Sequence, residues 1–290
     1  MNCKKAMLSL AVFLLSCLPY SLAQGTYTQI DYPGAVWTRC WGINTAGQIS
    51  GTYWDVNLNS HGFLLSDGNY TTINYPGAAE TFLTGMNDEG QIVGYTDNTG
   101  VDAGFLYSLR TKAFTDVTYP GSYVTLPFAI NNAGAIAGDF YLYGVPSQGF
   151  VLAGSTYSEV SWPGSAETQA LGISSSGAVV GIAYGKNYDY FGFTLVNGKY
   201  LRITIPNTAE ADVYGINPKG SAVVGAFGTE GFLYQDEVLQ TLNFPSQNAT
   251  VATGVNSAGE VVGYFSDSDS NTHGFTWTPS ADEKHPDLRP

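Results

Sequence analysis

The residues best suited to acid–base chemistry are three glutamates that occupy the same place in a repeated phrase. Glu80, Glu167 and Glu210 each follow a Pro-Gly or Pro-Asn turn and precede a strand-like stretch. Carboxylates that face one another across a cleft can serve as acid and base in cleavage of a glycosidic bond. The competing interpretation is that Ala-Glu in these phrases is repeat drift on a solvated loop. Because the sequence gives none of them a partner within hydrogen-bond reach, we assign no catalytic residue and leave an enzymatic role open.

Other catalytic and metal-binding patterns are absent from the sequence. It contains no His-Glu-x-x-His, Gly-x-Ser-x-Gly or phosphate-loop motif, and only three histidines. His61 and His273 could form a two-histidine metal site, but their shared place before a Gly-Phe pair favours a structural hydrogen bond. The stretch 267–271 alternates oxygen ligands like the start of a calcium loop, yet it lacks the glycine and distal glutamate of that motif. We therefore predict no metal site and no cofactor, with calcium the one alternative left open.

Composition predicts an all-β protein. The chain has 290 residues, of which 12% are charged, with 35 Gly, 20 Tyr and 15 Phe. Few charges with many aromatic residues and turn formers favour short strands over helices. The net charge of −13 argues against a nucleic-acid partner, because phosphate binding depends on clustered Lys and Arg. It equally argues against docking on anionic lipid.

The first 23 residues read as a signal peptide. Lys4 and Lys5 precede an apolar run over 6–18, and small residues precede a cleavage site after Ala23. The run is too short for a transmembrane anchor, and the apolar residues that follow Cys17 argue against a lipoprotein. We predict a secreted, extracellular protein, with the periplasm and the cell surface left open. Cleavage leaves Cys40 as the single cysteine, and its apolar surroundings predict a buried, inert thiol.

Internal repetition is the strongest signal in the chain. A phrase of the form Gly-Ile-Asn-x-x-Gly-x-Ile-Val-Gly occurs six times at a spacing of about 43 residues, as at 42–51 and 85–94. A Gly-Phe pair and a Tyr-Pro-Gly turn keep the same spacing. Each repeat offers four short strands, and in the second repeat these are 70–75, 81–86, 91–96 and 104–107. Four strands in such a period are typical of one β-propeller blade.

The two ends of the chain predict how the ring closes. The first strand, 27–32, is of the fourth-strand type, and the last, 274–277, is of the third-strand type. Pairing them completes the sixth blade and removes two exposed edges. We predict a single six-bladed β-propeller of four-stranded blades over 24–278, followed by a disordered polar tail over 279–290. A parallel β-solenoid is the alternative, but it leaves the offset between the ends unexplained.

The repeated phrases resemble those of the bacterial extracellular HAF repeat family, whose units follow Gly-Ile-Asn-x-x-Gly-x-Ile-Val-Gly with His-(Ala/Gly)-Phe. The match covers nearly all of the mature chain. The family histidine is kept as His61 and His273 and is replaced in the other four repeats. The resemblance implies secretion and a propeller-like repeat fold, and it implies no activity.

One face of the predicted ring carries the side chains that could contact a ligand. It is formed by the Pro-Gly turns and the loops between second and third strands, where aromatic rings can stack on sugars and polar groups can bond hydroxyls. The candidate contacts are Trp37, Trp54, Glu80, Tyr123, Tyr143, Glu167, Tyr190 and Glu210.

We predict a monomeric, non-catalytic binding or scaffold module whose preferred ligand is extracellular carbohydrate, with a surface protein as the other partner class. Two alternatives remain. A propeller glycoside hydrolase or polysaccharide lyase would use the glutamates of this face. A structural or protein-binding surface protein would instead present a flat apolar patch there.

Overall fold

The computed structural model describes residues 21–22, 24–97, 102–187, 189–205 and 210–280. Most of the predicted signal peptide, 1–23, and the predicted tail from residue 281 lie outside them. The tail prediction began two residues too early, because the last strand reaches Pro279 and the Ser280 N–H donates to the Gln24 carbonyl at 3.0 Å. No helix long and apolar enough to cross a membrane occurs in the described part of the chain.

The described residues form six antiparallel four-stranded blades around a central axis, as the repeats predict. The innermost strands are β3 (Trp37–Ile43), β7 (Glu80–Met86), β11 (Val124–Ile130), β15 (Glu167–Ile173), β19 (Asp212–Ile216) and β23 (Ala249–Val255). The second strands are β4 (Ile49–Trp54), β8 (Gln91–Asp97), β12 (Ile136–Leu142), β16 (Val179–Tyr184), β20 (Ala222–Phe227) and β24 (Val261–Ser266). The innermost strands of adjacent blades contact one another, and β23 contacts β3, so the ring is closed.

The third and outer strands complete each blade. The third strands are β5 (Ser60–Ser66), β9 (Asp102–Ser108), β13 (Val145–Ala153), β17 (Tyr190–Val196), β21 (Glu230–Gln235) and β25 (Thr272–Pro279). The outer strands are β6 (Asn69–Ile73), β10 (Phe114–Val117), β14 (Thr156–Val160), β18 (Lys199–Arg202), β22 (Val238–Leu242) and, in the last blade, β2 (Gly25–Ile30). A further two-residue strand, β1 (Ser21–Leu22), pairs in parallel with β22.

Closure of the ring follows the prediction from the chain ends. Strand β2 pairs antiparallel with β25, from Gly25 opposite Pro279 to Ile30 opposite Gly274. The strand begins and ends two residues earlier than the predicted 27–32. It stops before Tyr32 because the Tyr32 N–H donates to the Thr38 hydroxyl at 3.0 Å.

The same threonine bond ends the outer strand in five blades, and sequence analysis missed it. Residue i of the Tyr-Pro-Gly turn donates its N–H to the hydroxyl of a threonine at i+6. The pairs are Tyr32–Thr38, Tyr75–Thr81, Tyr119–Thr125, Trp162–Thr168 and Phe244–Thr250. In the fifth blade the threonine position is Ala211, which has no hydroxyl to accept this bond.

Each blade is built around the phenylalanine of its Gly-Phe pair, as predicted. These six rings are completely buried. They are Phe63, Phe105, Phe150, Phe193, Phe232 and Phe275. The thiol of Cys40 is likewise buried, and burial raises its pKa, which agrees with the predicted inert side chain.

Asparagines of the Gly-Ile-Asn phrase close the hairpins between first and second strands and also join blades. In each of five hairpins the asparagine Oδ1 accepts a backbone N–H four residues later, as in Asn131 with Ala135 at 2.9 Å. In three places its Nδ2 donates to a carbonyl of the next blade, as from Asn131 to Ser174 at 2.9 Å. We call the end of the ring with these hairpins the Asn face, and the opposite end, with the Pro-Gly turns, the Pro-Gly face.

Candidate functional site

All eight side chains singled out in the sequence lie at the Pro-Gly face, within blades one to five. They stand at or just before the start of an innermost strand, or in or beside a loop between second and third strands. Blade one supplies Trp37 and Trp54, which are opposite each other in the β3–β4 ladder. Their rings meet edge to face with centroids 6.2 Å apart, and both are partly buried. The tryptophan pair is therefore a packed edge of the blade, with only part of its surface accessible.

Blade three carries the most exposed aromatic pair of this face. The rings of Tyr123 and Tyr143 are stacked, with centroids 4.4 Å apart and an interplanar angle of 22°. Their exposed fractions are 41% and 84%. The backbone beside the pair is bonded across the hairpin, since the Tyr123 N–H donates to the Tyr141 carbonyl at 3.1 Å. The pair presents an exposed aromatic surface to solvent.

The three glutamates are each hydrogen-bonded by a hydroxyl group of the preceding blade. The Ser60 hydroxyl donates to Glu80 Oε2 at 3.1 Å, and the Ser147 hydroxyl donates to Glu167 Oε2 at 3.4 Å. Tyr190 is hydrogen-bonded to Glu210, and this bond contributes to the raised pKa of Tyr190, after burial and the neighbouring charges. These contacts fix the carboxylates at the inner edge of the face.

Each glutamate also has an aspartate neighbour that sequence analysis did not identify. Asp97 stands opposite Glu80 in the β7–β8 ladder. Burial and the charge of Glu210 raise the pKa of Asp212. Burial dominates the raised pKa of Asp139, to which the Glu167 charge adds. The register of Asp97 could have been read from the repeat, whereas the burial of Asp139 could not, because its repeat equivalents are apolar or hydroxyl residues.

Partly buried tyrosines of blades four to six were also missed. Burial, followed by the charge of Asp212, raises the pKa of Tyr184 to about 12 and raises that of Tyr214 further. The Tyr184 hydroxyl donates to Gln169 Oε1 at 3.2 Å. Across the ring, the Arg39 guanidinium lies between the rings of Trp54 and Tyr264, at 5.3 and 4.7 Å. Cation–π contacts of this kind hold an arginine in a fixed position.

The histidines have structural partners, as their repeat position predicts. Asp55 and Asn74 contact the two ring nitrogens of His61 at 3.5 and 3.0 Å. Asp31 and Asp267 contact those of His273 at 2.9 and 3.3 Å. His61 thus pairs with one carboxylate and one amide, and His273 pairs with two carboxylates.

The loop compared above with a calcium site closes on itself through hydrogen bonds. Asp267 Oδ1 accepts the N–H groups of Asp269 and Asn271, and Asp267 Oδ2 accepts the Asn271 side-chain amide. Asp55 makes the same three bonds with Asn57 and Asn59 in blade one. No group of three or more metal-ligating side chains lies together among the described residues.

Exposed apolar side chains concentrate at the Pro-Gly face. Of the seven large apolar or aromatic residues that are exposed in the described ranges, six lie there, in blades one and three. The six are Val36, Val56, Leu58, Tyr123, Tyr143 and Val145. The face therefore combines partly buried carboxylates near the axis with apolar groups on two of its blades.

A central cavity of about 150 Å³ lies along the axis towards the Asn face, on the other side of the ring from the predicted contacts. All six innermost strands contribute to it. Five aromatic rings line it: Trp41, Phe82, Tyr95, Phe128 and Tyr214. Trp41 and Tyr214 stand one residue before the repeated glycine, and Phe128 stands one residue before Ala129, which replaces it in the third repeat. This pattern could have located the cavity.

Comparison with solved structures identifies propellers at low sequence identity. TolB from Acinetobacter baumannii superposes with a TM-score of 0.51 at 14% identity, over 83% of this chain and 53% of that chain. This chain thus corresponds to about half the length of that TolB. The β-propeller domain of the Trilobed protease from Pyrococcus furiosus gives a TM-score of 0.48 at 10% identity, covering 83% and 95% of the two chains.

An Aleuria aurantia lectin in complex with Fucalpha1-6GlcNAc gives a TM-score of 0.49 at 11% identity, covering 85% and 96% of the two chains. No family model and no curated protein matches this chain. The likeness to TolB supports the propeller fold alone, so the ligand must be argued from the residues of this chain.

Proposed function

We propose that this chain is a secreted, non-catalytic propeller that binds extracellular carbohydrate at its Pro-Gly face. The stacked Tyr123–Tyr143 pair is the observation that carries the proposal, because an exposed aromatic ring presents an apolar surface to the CH groups of a pyranose. Carboxylates near the axis, such as Glu80 and Glu167, supply acceptors for sugar hydroxyls.

Secretion and membership of the HAF repeat family belong to the same proposal. Both rest on the sequence, through the leader over 1–23 and the six repeated phrases. Amino-terminal sequencing of the exported protein should begin at Gln24. A chain that retains its leader in the cell would overturn the secretion proposal without affecting carbohydrate binding.

The test is binding of purified residues 24–290 to an array of extracellular polysaccharides, with and without calcium. Tyr143→Ala should lose most of the binding, whereas Tyr143→Phe keeps the ring and should retain it. Val238→Ala, which alters an exposed side chain on outer strand β22, serves as the surface control. Binding that survives Tyr143→Ala unchanged would exclude this pair as the contact, and an absence of binding to every glycan would reject the carbohydrate proposal.

A second candidate function, a glycoside hydrolase or lyase, is favoured by the aspartate beside each glutamate. Asp212, whose pKa is raised by burial and by Glu210, would hold a proton more readily than an ordinary aspartate and could donate it to a leaving group. Release of reducing ends in the array wells, lost in Asp212→Asn, would establish this function. Sugar binding without release would support the non-catalytic proposal.

A protein-binding face is the third candidate, favoured by the six exposed apolar residues on blades one and three. Val56 and Leu58, exposed to 76% and 53%, contribute nothing polar to sugar recognition. The double variant Val56→Ser with Leu58→Ser should leave carbohydrate binding intact if sugar is the ligand. Loss of a co-purifying surface protein in that variant, with no glycan bound by the parent, would favour this candidate instead.

A further inference from the structure

The central cavity differs in chemistry from the Pro-Gly face. Asp88 is the one charged side chain among its lining residues in the described chain. Its carboxylate is already engaged, since Oδ1 accepts the Thr45 N–H at 2.6 Å and Oδ2 accepts the Asn132 amide at 2.7 Å. The one charge of the described lining is therefore negative, and hydrogen bonds of the fold hold it in position.

Other polar groups of the wall are also committed to the fold. The Thr84 hydroxyl donates to the Pro127 carbonyl at 2.7 Å, and the Thr253 hydroxyl donates to the Cys40 carbonyl at 2.8 Å. At the mouth, the amides of Asn87 and Asn131 bond their own hairpins and the next blade. Beside these polar groups, aromatic rings and aliphatic side chains such as Leu171 line the cavity.

The aromatic rings come from four different blades and stand at different angles. Phe82 and Tyr95 are stacked, with centroids 4.8 Å apart and an interplanar angle of 16°. Tyr95 meets Phe128 edge to face, at 6.5 Å and 81°. Trp41 and Tyr214 complete the wall from blades one and five. Rings in this arrangement offer both faces and edges, which is what a further aromatic ring packs against.

Size and chemistry together define the ligand. A cavity of about 150 Å³ is large enough to hold one six-membered ring, since an engineered apolar cavity of that size in another protein binds benzene. We propose that the central cavity is a binding site for a neutral, single-ring aromatic molecule that enters from the Asn face. Tyr95 and Tyr214 give it a polar edge, and burial, which raises the pKa of Tyr95 to about 12, keeps that phenol neutral.

This site is independent of the carbohydrate proposal because it opens on the opposite face of the ring. The Pro-Gly face gathers Glu80, Glu167, Glu210 and Asp212 near the axis, and these acidic groups disfavour an apolar ring there. The cavity at the Asn face is instead lined by five aromatic rings and a single carboxylate among the described residues. The outcome of the glycan-binding test therefore has no bearing on the phenol-binding test, and the reverse also holds.

The experiment is calorimetric titration of residues 24–290 with phenol, with benzoate and cyclohexanol as probes of similar size. Phenol should bind at millimolar concentration, and benzoate at least ten-fold more weakly, because its charge has no partner in the cavity. Cyclohexanol should bind more weakly than phenol because it cannot stack. Benzoate that binds as tightly as phenol would overturn the neutral ligand class, and no phenol binding at all would show a cavity that holds water alone.

Variants locate the binding. Leu171→Trp should fill the cavity and weaken phenol binding at least ten-fold, and the smaller change Leu171→Phe should weaken it less while disturbing the fold less. Leu201→Trp on outer strand β18 of the same blade is the matched control and should leave phenol affinity within about two-fold. Phenol binding that is lost equally in the Leu201 variant, or kept in both Leu171 variants, would place the site elsewhere.

Discussion

Asn256 of the last blade donates its side-chain amide to the backbone carbonyl of Asn44 in the first blade, at 3.1 Å, across 212 residues of sequence. The same bond joins Asn87 to Asn131 and Asn131 to Ser174 between consecutive blades. Because the Oδ1 of each asparagine also closes its own hairpin, one side chain stabilises both the turn and the contact between blades. The repeated asparagine therefore serves the assembly of the ring as well as the local turn.

Asn131 offers a way to separate these two roles. Asn131→Ala should lower the free energy of unfolding by about 2 to 3 kcal/mol, because it removes three hydrogen bonds: those from the Ala133 and Ala135 N–H groups of the hairpin and the one to the Ser174 carbonyl. Asn131→Ser keeps a hydroxyl acceptor for the hairpin, as Ser174 does for the Ala178 N–H, and should cost about 1 kcal/mol. Urea unfolding measures both. Equal losses would mean that the bond between blades contributes nothing.

Adding an amide where the repeat lacks one tests whether this side chain strengthens the contact between blades. Ser174 is the one member of the series that lacks an amide, and its blade contacts the next one through the Ser175 N–H and the Pro218 carbonyl at 2.9 Å. Ser174→Asn should raise the free energy of unfolding by about 0.5 to 1 kcal/mol if the new amide reaches the next hairpin. A loss of stability would show that the buried Ser174 site has no room for the larger side chain.

A second prediction concerns the glycine that faces each core phenylalanine. A Cβ on Gly51 would lie 2.3 Å from the Arg39 carbonyl oxygen and 2.5 Å from the Phe63 ring. Gly51→Ala should therefore cost about 3 kcal/mol or more, because neither the backbone nor the buried ring can move freely. Gly68→Ala is the control, since at φ +75° it meets no atom within 4 Å and should cost about 1 kcal/mol of backbone strain. Similar losses at both sites, measured by thermal unfolding, would contradict the packing argument.

Much of the fold follows from the sequence because the same physical requirement recurs in every repeat. Gly51 and Phe63 are directly opposite in the β4–β5 ladder, so the spacing of the two phrases already encodes a strand pair and its core. The offset of the chain ends predicted closure through β2 and β25 for the same reason. The repeats made blade number and closure readable, whereas strand ends were misjudged where a side chain such as Thr38 replaces a ladder bond.

The candidate site was less predictable because it depends on how side chains from different blades meet. Sequence position was enough to place Tyr143 and Glu80 on one face, because the Pro-Gly turns and the loops between second and third strands lie at the same end of a propeller. It could not show that Tyr123 stacks on Tyr143, that Trp37 is packed against Trp54, or that Asp139 is buried beside blade four. Those properties arise from residues that depart from the repeat, for which the repeat offers no template.

Closure of the ring should depend on pH through His273. Its pKa is raised: burial lowers it, but the hydrogen bonds of Asp31, just after β2, and of Asp267 outweigh that effect. The folded protein then holds a proton more tightly than the unfolded chain, so this stabilisation is complete below the unfolded pKa of about 6.5 and is lost as pH rises through the folded pKa.

The free energy of unfolding should accordingly fall as pH rises above about 6.5 and through the folded pKa of His273, and Asp31→Asn should flatten that part of the profile. His61→Gln is the matched comparison, since one carboxylate, Asp55, contacts that ring in place of two. Urea titrations at a series of pH values measure the effect. A profile that Asp31→Asn leaves unchanged would show that this contact contributes no pH dependence.

Asp139 should produce a pH dependence for a different reason. It is buried between blades three and four, where Oδ1 accepts the Ala170 N–H at 3.1 Å, and burial raises its pKa well above the usual value. The folded state therefore keeps a proton that the unfolded chain releases above about pH 4, so Asp139 lowers stability progressively as pH rises from there towards its folded pKa.

Asp139→Asn keeps an oxygen acceptor for the Ala170 N–H and removes the ionisable group. The variant should be more stable than the parent at about pH 8, and this advantage should shrink as pH falls towards about 4, where both chains carry a neutral side chain. Glu159→Gln on the exposed outer strand β14 of the same blade controls for the change in net charge. An Asp139→Asn advantage that is independent of pH, or that Glu159→Gln reproduces, would mean that the buried carboxyl does not titrate with folding.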